Sequence, residues 1–208
     1  MKGKSMINEN VLVKARLYRN NLIEKMSSEA RLFPGESKSQ LIDHCNRVEK
    51  LVIEIGEAEQ IDNLEVVQLA AILHDVGKFE GRDDHAKRGA DMVQSDFSDE
   101  LEEDILTQVI ELIREHSNKS GHTHAQMVLD DADLLDETGA MGILMHACNV
   151  EKMDHQYYEK VINRLNREES YHDKLYKKLR TRTGKKLLGD KIDLLKSFNY
   201  QLKKELGQ

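Results

Sequence analysis

Six residues stand out for the chemistry they could perform together: His44, the neighbours His74 and Asp75, His85, His116 and Asp133. His44 shares a helical face with Val48, Leu51 and Ile55 at spacings of four, three and four. His74 ends the apolar run "LAAILHD" on a stripe with Val67 and Ala71. His116 closes a series through Leu101, Ile105, Val109 and Leu112 at spacings of four, four, three and four. Burying an imidazole or a carboxylate on such a face costs several kcal/mol unless something satisfies it. A single histidine there is most often a hydrogen-bonded core residue, and "DDADLLD" by itself reads as a solvated helix face. Four histidines and two carboxylates converging in a helical core ask for a common partner. One or two divalent cations would neutralise the acids and use the imidazole lone pairs.

The elements that position these groups are helices. Residues 7–33 read as the first, with Val11, Ala15, Leu22 and Met26 inward. Pro34 and Gly35 in "RLFPGES" stop it, and Ser37 opens "SKSQ", a capping box for the helix of His44. Asp62 in "DNLE" caps the helix of His74, and Gly77 marks that helix's end. "EGRDD" is a loop, and a short helix over about 84–95 starts at an acidic cap beside His85. Residues 99–116 give the most regular amphipathic helix, and "SNKSGHTH" is the loop behind it. A helix runs from about 124 through "MVLDDADLLDETG", the apolar "AMGILMHACNV" is helical, and 156–208 holds two or three charged helices broken near "RTG". Period-two strand patterns are nearly absent, and there is no internal repeat. The expectation is an all-α helical bundle: an N-terminal helix in 1–36, a core in 37–150 and a C-terminal helical extension in 151–208.

Composition narrows the partners. The 208 residues suit one domain with an extension. One proline, 33% charged residues and 5% aromatics favour long helices. A net charge of -7 disfavours duplex nucleic acid, which demands a basic surface, but admits a small anion held by local cations. Cys45 and Cys148 read as buried free thiols of a reducing compartment. No apolar run approaches the roughly 18 residues that span a membrane. "MKGKSMINEN" lacks the apolar centre of a signal peptide, so a cytoplasmic protein is expected. The charged tail helices could pair, which admits a homodimer.

His44 in "HCNRV", His74-Asp75 in "LAAILHDVGK" and Asp133 in "DADLLD" resemble the defining His…His-Asp…Asp set of the HD-domain superfamily of metal-dependent phosphohydrolases. "HAKRGADMV" from His85 resembles the H-x-x-x-G-A helix start of HD-GYP phosphodiesterases and of HD-type diadenosine tetraphosphate hydrolases, and "IREHS" supplies His116. Many HD-GYP members carry a second histidine directly after that one. This chain has Ser117 there and no "GYP" element, which points away from a cyclic-dinucleotide phosphodiesterase of that type. "DADLLDETGAMGI" and "YHDKLYKKLRTRTGKKLLGDK" look like small bacterial HD proteins that include a nucleoside triphosphate pyrophosphohydrolase. An acidic residue often follows "HDIG" in that group, where this chain has Lys78.

The resemblance implies a first metal on His44, His74, Asp75 and Asp133, and a second on Asp75 as bridge, His85 and His116. Mixed nitrogen and oxygen ligands suit Mn, Fe, Co or Ni better than structural Zn. Such a pair would activate a hydroxide for in-line attack on phosphorus. Asp75 and Lys78 are then the catalytic candidates. Lys78, Arg47, Arg82, Lys87 and Lys119 are candidates for binding a phosphorylated or nucleotide substrate, each weighed against an ordinary solvated role. Asp131 and Asp136 are candidates for a general acid or for orienting a ligand histidine, and His122, His124, His146, His155 and His172 read as surface residues. The function implied is hydrolysis of a phosphoester or phosphoanhydride bond in a small nucleotide-like substrate. The alternatives are pyrophosphate release from nucleoside triphosphates, a non-catalytic metal- and nucleotide-binding regulatory module, and a helical scaffold with core histidines.

Overall fold

The computed structural model describes residues 7–26, 38–119, 121–148, 153 and 155–208. The Pro34-Gly35 break and the Ser37 cap lie outside the described residues. Those described form nine α-helices and one 3₁₀ turn, with no strand among them. No helix among the described residues is long and apolar enough to cross a membrane. The chain divides into two compact units, 1–133 and 134–208.

In the first unit, α1 (Glu9–Lys25) packs on α2 (Lys38–Ala58), on α3 (Leu64–Leu73) and on the 3₁₀ turn Val76–Phe79. Helix α3 carries seven buried apolar residues in ten positions and packs against both α2 and α5 (Glu103–Glu115), so it is the core of this unit. Between them in sequence lies α4 (His85–Asp96), packed on α5 and on the 3₁₀ turn. Helix α6 (His124–Asp136) follows, capped by Thr123, whose hydroxyl accepts from the Gln126 amide at 3.1 Å. The division between units falls inside α6, after Asp133.

Several sequence expectations shift here. Helix α1 ends at Lys25 rather than running to 33, because Met26 turns extended and buries its side chain beside Ile23 and Leu41. Ile23, not Leu22, is the residue that faces the core. Helix α3 has Asn63, in a left-handed conformation, as its N-cap residue rather than Asp62, and the Asn63 side chain makes no capping bond. The helix of Ile105 and Leu112 starts at Glu103, later than 99, and Leu101 precedes it. Periodicity also hid Arg19, a buried arginine whose Nη2 donates to Asn46 Oδ1 at 2.8 Å.

The second unit contains α7 (Ala140–Cys148), α8 (Tyr157–Lys178) and α9 (Arg182–Glu205), with α7 packed on both others. Val161, Ile162, Leu165 and Leu175 of α8 and Leu188, Ile192 and Leu195 of α9 are its buried stripes. The break between α8 and α9 falls at 179–181, just before "RTG", where the Thr181 hydroxyl accepts from the Gly184 amide at 2.9 Å. Cys148 is exposed rather than core: it is the last residue of α7, whose sole buried residue is Gly142. Cys45 is fully buried, and burial pushes its thiol up to about 11.

Candidate metal centre

The candidate centre is assembled around a chain reversal at Gly77. His74 closes α3, Asp75 follows at φ -102°, and the 3₁₀ turn begins at Val76. A Cβ on Gly77 would stand 1.9 Å from the His85 carbonyl oxygen and 2.6 Å from the Gly89 nitrogen. Only glycine lets the start of α4 press this closely on the turn, and that approach brings His85 beside Asp75. Arg88 braces the same loop. Its Nε donates to the Gly77 carbonyl at 3.0 Å, and its Nη2 to those of Gly81 and Asp83 at 2.9 and 2.7 Å. Sequence reasoning passed over Arg88. The available signal was a polar, glycine-containing loop whose carbonyls needed donors.

The ligand atoms gather on the two sides of the buried Asp75 carboxylate. Asp75 Oδ2 lies 3.4 Å from both His44 Nε2 and His74 Nε2. These two nitrogens are 3.3 Å apart, and Asp133 Oδ1 is 3.3 Å from the first and 3.9 Å from the second. Asp75 Oδ1 lies 3.4 Å from His85 Nε2 and 3.6 Å from His116 Nε2, which are 3.2 Å apart. His74 and His116 are buried, whereas His44, His85 and Asp133 keep 15, 19 and 17% side-chain exposure, so the cluster has an edge open to solvent.

Backbone carbonyls fix which nitrogen carries the proton. Nδ1–H of His74 donates to Ala71 at 2.7 Å, that of His85 to Arg82 at 2.7 Å, and that of His116 to Ile113 at 2.6 Å. In the neutral ring Nε2 is then a bare lone pair. His85 and His116 therefore point lone pairs at each other and at Asp75 Oδ1, a buried oxygen without a hydrogen-bond donor. Charging a ring does not resolve this at neutral pH for His116, because burial pushes it below the ordinary histidine value against the opposing pull of Asp75. Converging lone pairs around an unsatisfied carboxylate are what a divalent cation binds, and the carbonyl partners are the orienting contacts expected behind ligand imidazoles. His44, His74 and Asp75 can hold one ion by this geometry, and Asp75, His85 and His116 another.

The protein's own cations already touch both acids. Lys78 Nζ donates to Asp75 Oδ2 at 2.5 Å, and Lys119 pairs with Asp133 Oδ2. Burial alone would raise Asp75; the neighbouring His74, Lys78, His116 and His44 together hold it well below the ordinary aspartate value. Asp133 is likewise held well down: burial opposes, and His44, Lys119 and His74 outweigh it. Lys78 is lowered by burial but raised on balance by Asp75, so it stays charged.

The sequence was compared with known proteins. Residues 41–138 match the HD domain family. The chain carries an HD domain over these residues. No curated protein matches it. Among solved structures it is similar to an HD-superfamily hydrolase from Bacillus thuringiensis, at 21% identity over 96% of this chain and 97% of that one, with a TM-score of 0.68. A protein from an uncultured Thermotogales bacterium, named as a predicted HD superfamily hydrolase, gives 22% identity over 96% and 99% of the chains and a TM-score of 0.65. YpgQ of Bacillus subtilis in complex with ADP gives 21%, 93% and 96%, and 0.60. These likenesses establish the fold.

The HD domain thus draws together all six residues singled out from the sequence, with Lys78 and Lys119 against them. The other candidates sit differently. Arg47 is half-buried one turn beyond His44 on α2, and Arg82 is half-buried and lends its carbonyl to His85. Lys87 is 75% exposed and faces Asp91 at 3.7 Å. Asp131 and Asp136 are both buried rather than solvent-facing. Ser117, which stands in place of a second histidine in the sequence, joins the cluster: its hydroxyl lies 3.3 Å from His85 Nε2 and 3.5 Å from His116 Nε2. His122, His124 and His155 are exposed; His146 instead meets Glu168 at 2.5 Å, and His172 is half-buried.

Proposed function

We propose that this HD-domain protein is a metal-dependent phosphohydrolase that cleaves a phosphoester or phosphoanhydride bond of a small, nucleotide-like substrate. The observation that carries the reading is the pair of lone-pair clusters meeting on opposite oxygens of Asp75. In this reading His44, His74, Asp75 and Asp133 hold one divalent cation, and Asp75, His85 and His116 a second. Mn, Fe, Co or Ni suit this donor set better than the closed thiolate-rich sites of structural Zn. When bound, such ions supply Lewis acidity toward a phosphoryl oxygen and lower the pKa of water.

The chain's own residues do the rest. The Nδ1 hydrogen bonds of His74, His85 and His116 lock the rings so that no reorganisation accompanies binding. Lys78 stays protonated beside Asp75 and is placed to meet the negative charge that builds on a phosphate oxygen. Arg47 and Arg82 are the further phosphate-binding candidates. YpgQ, a protein of the same fold, was solved with ADP, which supports a nucleotide as the substrate class. The limits 1–36, 37–150 and 151–208 remain the domain reading, with the chemistry in the middle segment.

The test is a panel of phosphomonoesters, phosphodiesters, nucleoside di- and triphosphates and dinucleoside polyphosphates incubated with the full chain and Mn²⁺. Release of phosphate, or of a nucleotide from a diester, is expected. Pyrophosphate release from triphosphates would narrow the reading to a pyrophosphohydrolase. Bound metal with no turnover on any compound would replace it with a non-catalytic nucleotide-binding module.

A further inference from the structure

The second unit carries a charge pattern that the proposed hydrolysis does not use. Seven of the chain's 31 cations fall within residues 174–186, and no acid stands between Asp173 and Asp190, in a chain whose net charge is -7. Lys177 and Lys178 occupy the last turn of α8, where the helix dipole favours cations. Arg182, Lys185 and Lys186 lie in the first turns of α9, where the same field opposes them, and no acid of that first turn offsets it. Mutual repulsion adds to the cost. A placement unfavourable on both counts points to an anion outside the fold.

Four of the seven cations are also arranged in a concavity. Tyr176, Arg180, Arg182, Lys185 and Lys186 surround a cleft of about 440 Å³, within the range of small-ligand sites. Tyr176 is 46% exposed, with Lys185 Nζ 5.5 Å from its ring centroid. On an adjoining stretch of α8, Tyr171 is 40% exposed and its hydroxyl accepts from Lys178 at 3.0 Å. Exposed rings set among cations are the composition of a surface that neutralises phosphates and stacks bases.

We propose that the α8–α9 corner binds single-stranded nucleic acid, with the cations on successive phosphates and a base on Tyr176. Four of the cations line the cleft and would match one nucleoside triphosphate, but Lys174, Lys177 and Lys178 are exposed on α8 outside it, and a longer run of phosphates meets those as well. A duplex keeps its bases stacked and offers Tyr176 nothing, whereas a single strand can turn a base onto the ring. The anionic headgroups of a membrane would be met by a flat face, not a cleft.

Fluorescence anisotropy of a labelled 20-nucleotide oligouridylate with the full chain tests this. Binding at 50 mM salt should weaken by about 50-fold at 200 mM if about four phosphates are engaged. The triple variant R182Q/K185Q/K186Q should bind at least about 10-fold more weakly without a lower melting temperature, since three cations leave the positive end of α9. Tyr176→Ala should lose about five-fold or more, and the single Lys186→Gln variant serves if the triple variant does not fold. Four outcomes overturn the proposal: no binding at 50 mM salt, wild-type affinity in the folded variants, equal competition by inorganic triphosphate, or preference for a 20-base-pair duplex or for phosphatidylserine vesicles.

Discussion

On one side of Asp75, Oδ2 faces His44 and His74 and already receives the Lys78 ammonium, while Asp133 on that side is held by Lys119. On the other side, Oδ1 faces His85 and His116 alone and has no donor. The ligand types are the same, but the charge balance is not. The first side is compensated by two lysines of the chain itself. The second is lined by two imidazoles whose protons are committed to backbone carbonyls. An ion entering the second side would displace only the Ser117 hydroxyl from the two imidazoles, whereas one entering the first would share Asp75 Oδ2 with an ammonium but gain the Asp133 carboxylate. Unequal affinity of the two positions for a cation is the expected consequence.

The strongest challenge to that comparison is removal of the residue both sides share. Asp75→Ala should lower turnover by more than about 100-fold, beyond the 10–100-fold typical of groups that only orient a ligand, and should empty both positions. Full turnover in that variant would break the account. Gly77→Ala comes next, because its Cβ would collide with the His85 carbonyl and the Gly89 amide. A stability loss of about 3 kcal/mol, an overpacking cost, is expected in denaturant melts. His85→Ala sharpens the comparison by touching the second side alone: metal analysis should fall from two ions per chain to one.

Lys78→Met should keep both ions and lower kcat, and with it kcat/KM, for a phosphorylated substrate by about 10-fold, roughly 1.4 kcal/mol. Loss of metal instead would make Lys78 a structural counter-charge.

The smallest effect is the pH dependence of the metal-free protein. His116 is held below its unfolded value near 6.5, so protons favour the unfolded chain and stability should slip as pH falls below about 6.5. Asp75 and Asp133 are held well below the ordinary value near 3.9. Their contribution is complete above about pH 4 and is lost as pH falls further toward their folded values. Melting temperatures across pH 3–8 read both steps, and a flat profile would contradict the electrostatics.

Much of this geometry was legible because His44, His74 and His116 ride on apolar faces whose period the sequence shows, and because Asp75 and His85 flank a recognisable chain reversal. Helix order was legible for the same reason. What pairs with what was not. That Gly77 must be bare because α4 lies against it is a fact of packing between segments, as is the reach of Arg88 to three carbonyls. Lys119 looked like one polar-loop cation among several until a left-handed backbone at φ 48° and its pairing with Asp133 set it apart from Lys87. Cys148 and the end of α1 were misplaced because apolar runs show which residues can be buried, not which find a partner.

The central claim is that Asp75 stands between two cation positions, one on each carboxylate oxygen. Anomalous diffraction from crystals of the full chain grown with Mn²⁺ tests it most directly. The account predicts two peaks, one among His44, His74, Asp75 and Asp133 and the other among Asp75, His85 and His116. No peak at Asp75, or ions bound only elsewhere on the chain, would contradict it.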